Sequence, residues 1–173
     1  MYSFILILRV WFQVAKVDFY NPLSQALVKA TQPVVSPLSK FAPTIKGINT
    51  AALLACFILG VLKFPLLNLF GTLLGASLFE YAIIGALSVV HSIGEAIFYV
   101  LLVGAILSWF NRGAGQAQYI LYQLSEPVLR PVRKILPNTG MIDFSPMVVV
   151  FVLYLLNSVL HDIFGDLWAA AAF

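Results

Sequence analysis

Arg130, Arg133 and Lys134 stand close together inside S-E-P-V-L-R-P-V-R-K-I-L-P, Ser125 to Pro137, a stretch with three prolines, two arginines and one lysine. Proline lacks an N–H and pushes the residue before it out of the helical region. Pro127, Pro131 and Pro137 therefore predict short helical turns with breaks, Pro127 and Pro131 each opening such a piece. Val128, Leu129, Val132, Ile135 and Leu136 supply apolar contacts between the charges, and Tyr119–Leu124 upstream is amphipathic too. The pattern fits a structure lying at headgroup level, apolar side in and basic side to phosphate. Two roles stand side by side: topological anchoring by positive charge, or a binding surface for anionic lipid or a protein partner.

The stretch has a copy. Sliding the chain by 94 positions puts Pro33 on Pro127, Pro37 on Pro131, Lys40 on Lys134 and Pro43 on Pro137. Thr31 meets Ser125, Gln32 meets Glu126 and Asn49 meets Asp143, while Ser36 and Ser39 stand where Arg130 and Arg133 do. Trp11-Phe12 matches Trp109-Phe110 if the first copy carries four extra residues. Three prolines and a lysine in one ungapped register indicate an internal duplication. The expected organisation is a repeat over 1–65, a hydrophobic connector over 66–92 that spans or re-enters, and a second repeat over 93–173.

The remaining polar residues are few enough to take singly. Arg9 lies in the first apolar run and Glu80 in the connector, both candidate intramembrane polar groups. Arg9 either snorkels to a nearby headgroup layer or pairs with a carboxylate of the other copy, Glu126 and Asp143 being the candidates. In Asp143-Phe-Ser-Pro146, Ser145 reads as a helix cap with Pro146 at the first helical position, and Asn49-Thr50 offers the same chemistry. Asp143 beside Arg130 or Arg133 would hold the loop together. Trp11 and Trp109 sit where aromatic belts form. His91 and Glu95 are one helical turn apart, but two ligands do not make a metal or haem site, and polar helix-end residues are the plainer reading. Gly71 and Gly75 have the spacing of a close helix contact. Cys56 is the sole cysteine and excludes an intrachain disulfide. Nucleophile, phosphate-loop, dinucleotide and zinc signatures are absent, so neither an enzyme nor a cofactor is expected.

These residues are set in a very apolar chain. Of its 173 residues, 61% are hydrophobic and 10% charged, and the mean hydropathy is +0.97. Soluble domains carry roughly 25% charged residues. Apolar blocks run over about 2–17, 50–64 (where Pro65 interrupts), 66–90, 95–110 and 146–164, with none of the period-two alternation of a barrel. The expectation is an all-α, polytopic membrane helical bundle, with room for about four to six spans of about 20 residues. The net charge of +3 fits lysine and arginine held on the cytoplasmic side rather than nucleic-acid binding. The first loop carries Lys16, Lys29, Lys40 and Lys46, and the second Arg112, Arg130, Arg133 and Lys134. Both segments are then cytoplasmic and the repeats parallel; a connector that crosses once would invert them, as in many transporters. The N-terminus lacks the basic region and cleavage site of a signal peptide. A bacterial inner membrane is the simplest location.

The pattern resembles the YggT family of small integral membrane proteins. The carrying residues are R-V-W (Arg9–Trp11), D-F-Y-N-P (Asp18–Pro22), T-Q-P-V-V-S-P (Thr31–Pro37), A-I-L-S-W (Ala105–Trp109), the Ser125–Pro137 stretch and I-D-F-S-P (Ile142–Pro146). The resemblance covers the whole chain in the tandem form found in proteobacteria. Eight residues precede Arg9, fewer than such members usually have, so a first helix shortened by a late start codon is expected. Family members have been linked to cytochrome cofactor assembly in chloroplasts, to division and nucleoid placement, and to osmotic stress tolerance. The resemblance thus implies a non-enzymatic scaffold, assembly or stress-tolerance factor with a lipid or protein partner. A small transporter or ion channel is the alternative. Homo-oligomers are compatible with repeats this small.

Overall fold

The structure, a computed structural model, describes residues 2–18, 20–45, 48–69, 77–110, 115–136 and 143–172. Pro137, Gly71 and Gly75 lie outside the described residues, as does the side chain of Trp109. Among the described residues the chain is all-helical: α1 (Tyr2–Val14), α2 (Pro22–Leu38), α3 (Thr50–Leu69), α4 (Leu78–Phe110), α5 (Gln116–Ile135), α6 (Ser145–Phe164) and α7 (Asp166–Ala172). The one extended pairing among them is a bridge between Ile45 and Ile48.

The proline segments correct the reading of broken turns. Pro33 and Pro37 lie inside α2, and Pro127 and Pro131 inside α5, each helix running through both. Each interior proline removes one main-chain hydrogen bond and crowds the carbonyl four residues back. All four proline rings are on exposed surface, and the buried positions between them (Thr31 and Val35 in α2, Leu124 and Leu129 in α5) keep the helices packed. Tertiary packing therefore overrides a local propensity. α5 ends at Ile135, and Leu136 beyond it is extended, with ψ 137°. Pro65 does not interrupt α3, which continues to Leu69. Likewise α4 passes without a break through position 92, where the connector was expected to end.

α4 is the organising element. Its segment Phe79–Leu107 and α6 are long and apolar enough to cross a membrane, while α1 and Thr50–Lys63 are shorter apolar helices. α1 lies parallel to α4, with Leu6 and Ile7 in one cluster with Ala96, and Phe12 in another with Val100. α3 and α6 run antiparallel to α4: Ala51, Ala52 and Cys56 pack near Ala96 and Gly60 near Ser88, while Val149 meets Leu101 and Leu153 nears Gly94. α6 buries Ser145 and Val149 and exposes Phe151, Tyr154, Leu155, Val159 and Ile163. A helix apolar around most of its circumference, with so narrow a buried stripe, needs an apolar solvent on its outer side. The chain is accordingly membrane-associated.

α2 and α5 are crosspieces at one end of these helices. Leu27 of α2 and Ile120 and Leu124 of α5 meet the same Phe12 cluster at the end of α1. From there α2 reaches α3 through Val35 and Ala51, and α5 reaches α6 through Leu129 and Val149. The end of α1 is shaped for this. Lys16 N–H donates to Gln13 O and Val17 N–H to Phe12 O, closing the helix with Lys16 at φ 54°. Glycine usually takes that left-handed position, which is why the turn was not legible in the residue types. Gln123 Nε2 then donates to the freed carbonyls of Ala15 and Lys16, at 3.0 and 3.1 Å, pinning α5 to the turn.

Candidate functional site

In α5 the three basic residues divide. Arg133 Nη1 donates to Glu126 Oε2 at 2.7 Å, while its Nη2 and Nε donate to Asp143 Oδ2 at 2.7 and 2.9 Å. Asp143 Oδ1 accepts from Ser145 N–H at 2.9 Å. The guanidinium thus ties two turns of α5 to the entry of α6. Asp143, expected beside Arg130 or Arg133, meets Arg133, and Glu126, a candidate for Arg9 alone, joins it there. The cap differs: Asp143 satisfies the first N–H group of α6, whose N-cap position is Phe144, rather than the Ser145 hydroxyl. Pro146 keeps its place in the first turn. Arg130 and Lys134 are exposed and have no hydrogen bond or ion pair among the described residues.

Burial raises the Asp143 carboxyl, but the hydrogen bonds from Ser145 and the Arg133 guanidinium outweigh it and hold the group below the usual carboxylate range. The linked stabilisation is present in full above the unfolded value of about 4 and lost as the pH falls through the lower folded one. Unfolding temperature in detergent is therefore expected to fall in that acid window, and the Asp143→Asn protein to lose this part of the pH dependence. An unchanged profile in Asp143→Asn would show that the clamp is not what titrates.

The first copy solves the same position differently. Arg9, 8% exposed, donates from Nη1 to Thr31 Oγ1 at 2.7 Å and from Nη2 to Gln32 Oε1 at 3.2 Å. Its expected partners, Glu126 and Asp143, are taken by Arg133, so the pairing across copies does not form. Residues 32 and 126 are equivalent in the repeat register, and each holds an arginine, Gln32 by an amide oxygen and Glu126 by a carboxylate. Arg9 Nε and the Gln13 Oε1 one turn on are buried without partners among the described residues. Above them, Lys29, Gln32, Pro33, Ser36, Pro37 and Lys40 line an open groove of about 640 Å³ on the outer face of α2.

Glu80 proves to be a capping residue. Its Oε2 accepts from Ser77 N–H at 2.6 Å, and its own N–H donates to Ser77 Oγ at 3.4 Å. This is a capping box on the first turn of α4, and the S-x-x-E spacing was its unread signal. Asn49 caps α3 through Ala52 N–H at 3.1 Å, as the repeat indicated.

Two further cavities border α4. One, of about 780 Å³, lies among α4, α5 and α6, with Leu101, Leu129 and Met147 in its walls and Ser125, Arg133 and Asp143 at its polar end. The other, of about 270 Å³, lies among α4, α6 and α7, where His91, Glu95 and Asn157 face Ile97, Leu153 and Trp168. His91 stands edge-on to Trp168 with ring centroids 5.5 Å apart, and Trp168 Nε1 donates to Asn157 Oδ1 at 3.0 Å. Among the described residues no three His, Cys, Asp or Glu side chains converge to hold a metal. Sequence reasoning missed α7 and Trp168, since a seven-residue helix beyond Gly165 has too short a period to read. Gly165 itself is the tell, its φ 52° and ψ −123° being accessible to glycine alone.

The chain matches the CCB3/YggT family over residues 1–70 and 83–164. A protein of Haemophilus influenzae Rd, named an uncharacterized protein, is 53% identical over 169 residues, 98% of this chain and 90% of that one. The uncharacterized protein YggT of Escherichia coli K12 is 45% identical over 157 residues, 91% and 81%. A Vibrio alginolyticus protein, named an uncharacterized protein in the proC 3' region, is 40% identical over 169 residues, 97% and 91%. No solved structure matches the chain.

Proposed function

Because the chain belongs to the CCB3/YggT family, we propose that it is a multi-pass inner-membrane protein that works without catalysis, as a scaffold for assembly or stress tolerance. Its proline helices α2 and α5 lie at the cytoplasmic surface and bind anionic lipid or a protein partner. One observation carries this reading: both helices stand at the same end of the packed helices and are fastened by their apolar sides. Both also expose cations, Lys29 in α2 and Lys40 in the turn just past its end, Arg130 and Lys134 in α5, that have no carboxylate partner among the described residues. The common direction of α1 and α4 supports the reading of parallel repeats, and the positive-inside rule supports a cytoplasmic position for the cationic end. Arg133 serves here as the clamp that fixes α5, leaving Arg130 and Lys134 as its contact groups. The cavity edged by His91 and Glu95 favours a second reading, a small transporter, since ionisable groups inside spans mark transport pathways.

The test is in-membrane photocrosslinking with the probe at Ile135, 85% exposed beside Lys134. A specific protein or anionic-lipid adduct is expected, lost on Arg130→Ala plus Lys134→Ala. Adducts no different from those of a probe at Phe151 on the exposed side of α6 would sink the proposal. Reporters fused after Lys40 and after Asn138 should report the same compartment. A change in ion flux on Glu95→Gln with crosslinks unaltered would move the assignment to the transporter.

A further inference from the structure

We propose that the groove on α2 is a binding site for the phosphate of an anionic glycerophospholipid, with Arg9 as the buried charge beneath it. The inference rests on the reading of α2 and α5 as membrane-surface helices, and it reverses their expected order. By sequence the second copy, with its arginines, is the stronger candidate and the first a weakened one. The structure shows that Arg133 is neutralised by two carboxylates, Glu126 and Asp143. Among the described residues no carboxylate pairs with the cations of α2 and the turn after it. Residues 1–79 contain one carboxylate, Asp18, against Arg9 and five lysines, whereas residues 80–173 contain six carboxylates against four cations. The first copy is thus the anion-seeking half, although its basic residues look sparser.

The groove is built from one face of α2 and the turn that follows it, which carries Lys40. Lys29, Gln32, Ser36 and Lys40 recur at helical spacing, all exposed. Lys29 and Lys40 carry no ion pair among the described residues. Gln32 gives its carbonyl oxygen to Arg9 at 3.2 Å, so the group it has left is an amide NH2, a donor. Ser36 Oγ makes no hydrogen bond among the described residues, so its hydroxyl is available as well. Beneath them Arg9 is more than nine-tenths buried, is bonded to neutral groups alone, and keeps Nε unpartnered. A buried guanidinium with no counter-charge is costly unless an anion completes it. Side-chain donors and unbalanced positive charge at headgroup depth select a phosphate. The prolines add acceptors: without N–H groups at 33 and 37, the carbonyls of Lys29 and Pro33 lose their usual helical donors. A hydroxyl-bearing headgroup fits such a mixed rim, with its phosphate on the lysines and its hydroxyls on the carbonyls.

The full chain reconstituted in nanodiscs of phosphatidylethanolamine plus phosphatidylglycerol tests this, by native mass spectrometry of the lipids retained. The unsubstituted protein is expected to retain phosphatidylglycerol preferentially. Lys29→Ala plus Lys40→Ala should weaken that retention roughly thirtyfold, with Lys→Arg at both positions restoring it. Gln32→Glu should abolish it while the protein stays folded, because Arg9 then gains the kind of partner that Arg133 has. Arg130→Ala plus Lys134→Ala should leave most of it. Loss with the α5 pair but not the α2 pair would overturn this inference and leave the reading of α5 standing. Retention of Gln32→Glu at full strength would overturn the role given to Arg9. Equal retention of both lipids by the unsubstituted chain would overturn the lipid site outright, while the α5 crosslink to a protein partner could still succeed.

Discussion

Alanine at Gly60 is expected to destabilise the protein by about 1–3 kcal/mol, the usual range for overpacking a close contact, and leucine there to separate α3 from α4. A Cβ at Gly60 would stand 2.8 Å from Ser88 Cβ and 3.1 Å from Gly85 Cα. Both atoms are tied to the backbone of α4, so no flexible side-chain end can swing aside. Gly85 faces the same seam from the other helix, its Cβ falling 2.6 Å from Val61 Cγ2. Close approach through small residues is how helices gain packing in lipid, where burial of apolar surface provides no drive. The control is Gly104→Ala, in α4, with nothing within 4 Å of its Cβ. There alanine should be neutral or stabilising by about 0.5–1 kcal/mol through helix propensity. Thermal unfolding in detergent reads both variants. A Gly60→Ala protein as stable as the Gly104→Ala one would refute the close contact.

The second large effect has an unusual sign. Thr31→Val should destabilise the protein by about 2–3 kcal/mol, whereas Arg9→Met should cost little or stabilise it. Thr31 is fully buried; its Oγ1 accepts from Arg9 and donates to Leu27 O at 2.7 Å. Valine keeps the volume but leaves a buried guanidinium with one fewer acceptor and Nε already unpartnered. Methionine at position 9 removes the charge itself, leaving Thr31 its bond to Leu27 O and Gln32 exposed to solvent. The double variant Arg9→Met, Thr31→Val should recover what Thr31→Val alone loses. If Arg9→Met proves as damaging as Thr31→Val, the arginine is holding α1 to α2. If Arg9→Met is benign, the retained arginine has a use other than stability, as the anion site in α2 requires.

Much of the fold was legible residue by residue. Apolar runs marked α1, α6 and most of α3, and two separate runs marked what is the single helix α4, while the 94-residue register paired α2 with α5. Asn49 and Pro146 signalled helix starts that the structure bears out. Reading failed where a local rule met a packed environment. Prolines 127 and 131 predicted breaks, yet buried Leu129 holds α5 through them, as Val35 holds α2 through Pro33 and Pro37. Glu80 looked like a charge stranded in an apolar run because Ser77, three residues before it, was not taken together with it.

The distribution of charge along the chain was fixed by residue identity, as were the all-helical character and the membrane association. Each follows from composition and spacing along the backbone, which one strand of text contains in full. Which cations are free was decided by tertiary structure alone. Arg133 is spent on Glu126 and Asp143, Arg9 is buried on Thr31 and Gln32, and Lys29 on α2 and Lys40 just past its end are left open. Coulomb attraction and desolvation depend on distance in space. The partner of each charge lies seven to twenty-three residues away, across turns such as the left-handed Lys16 that no residue type announced.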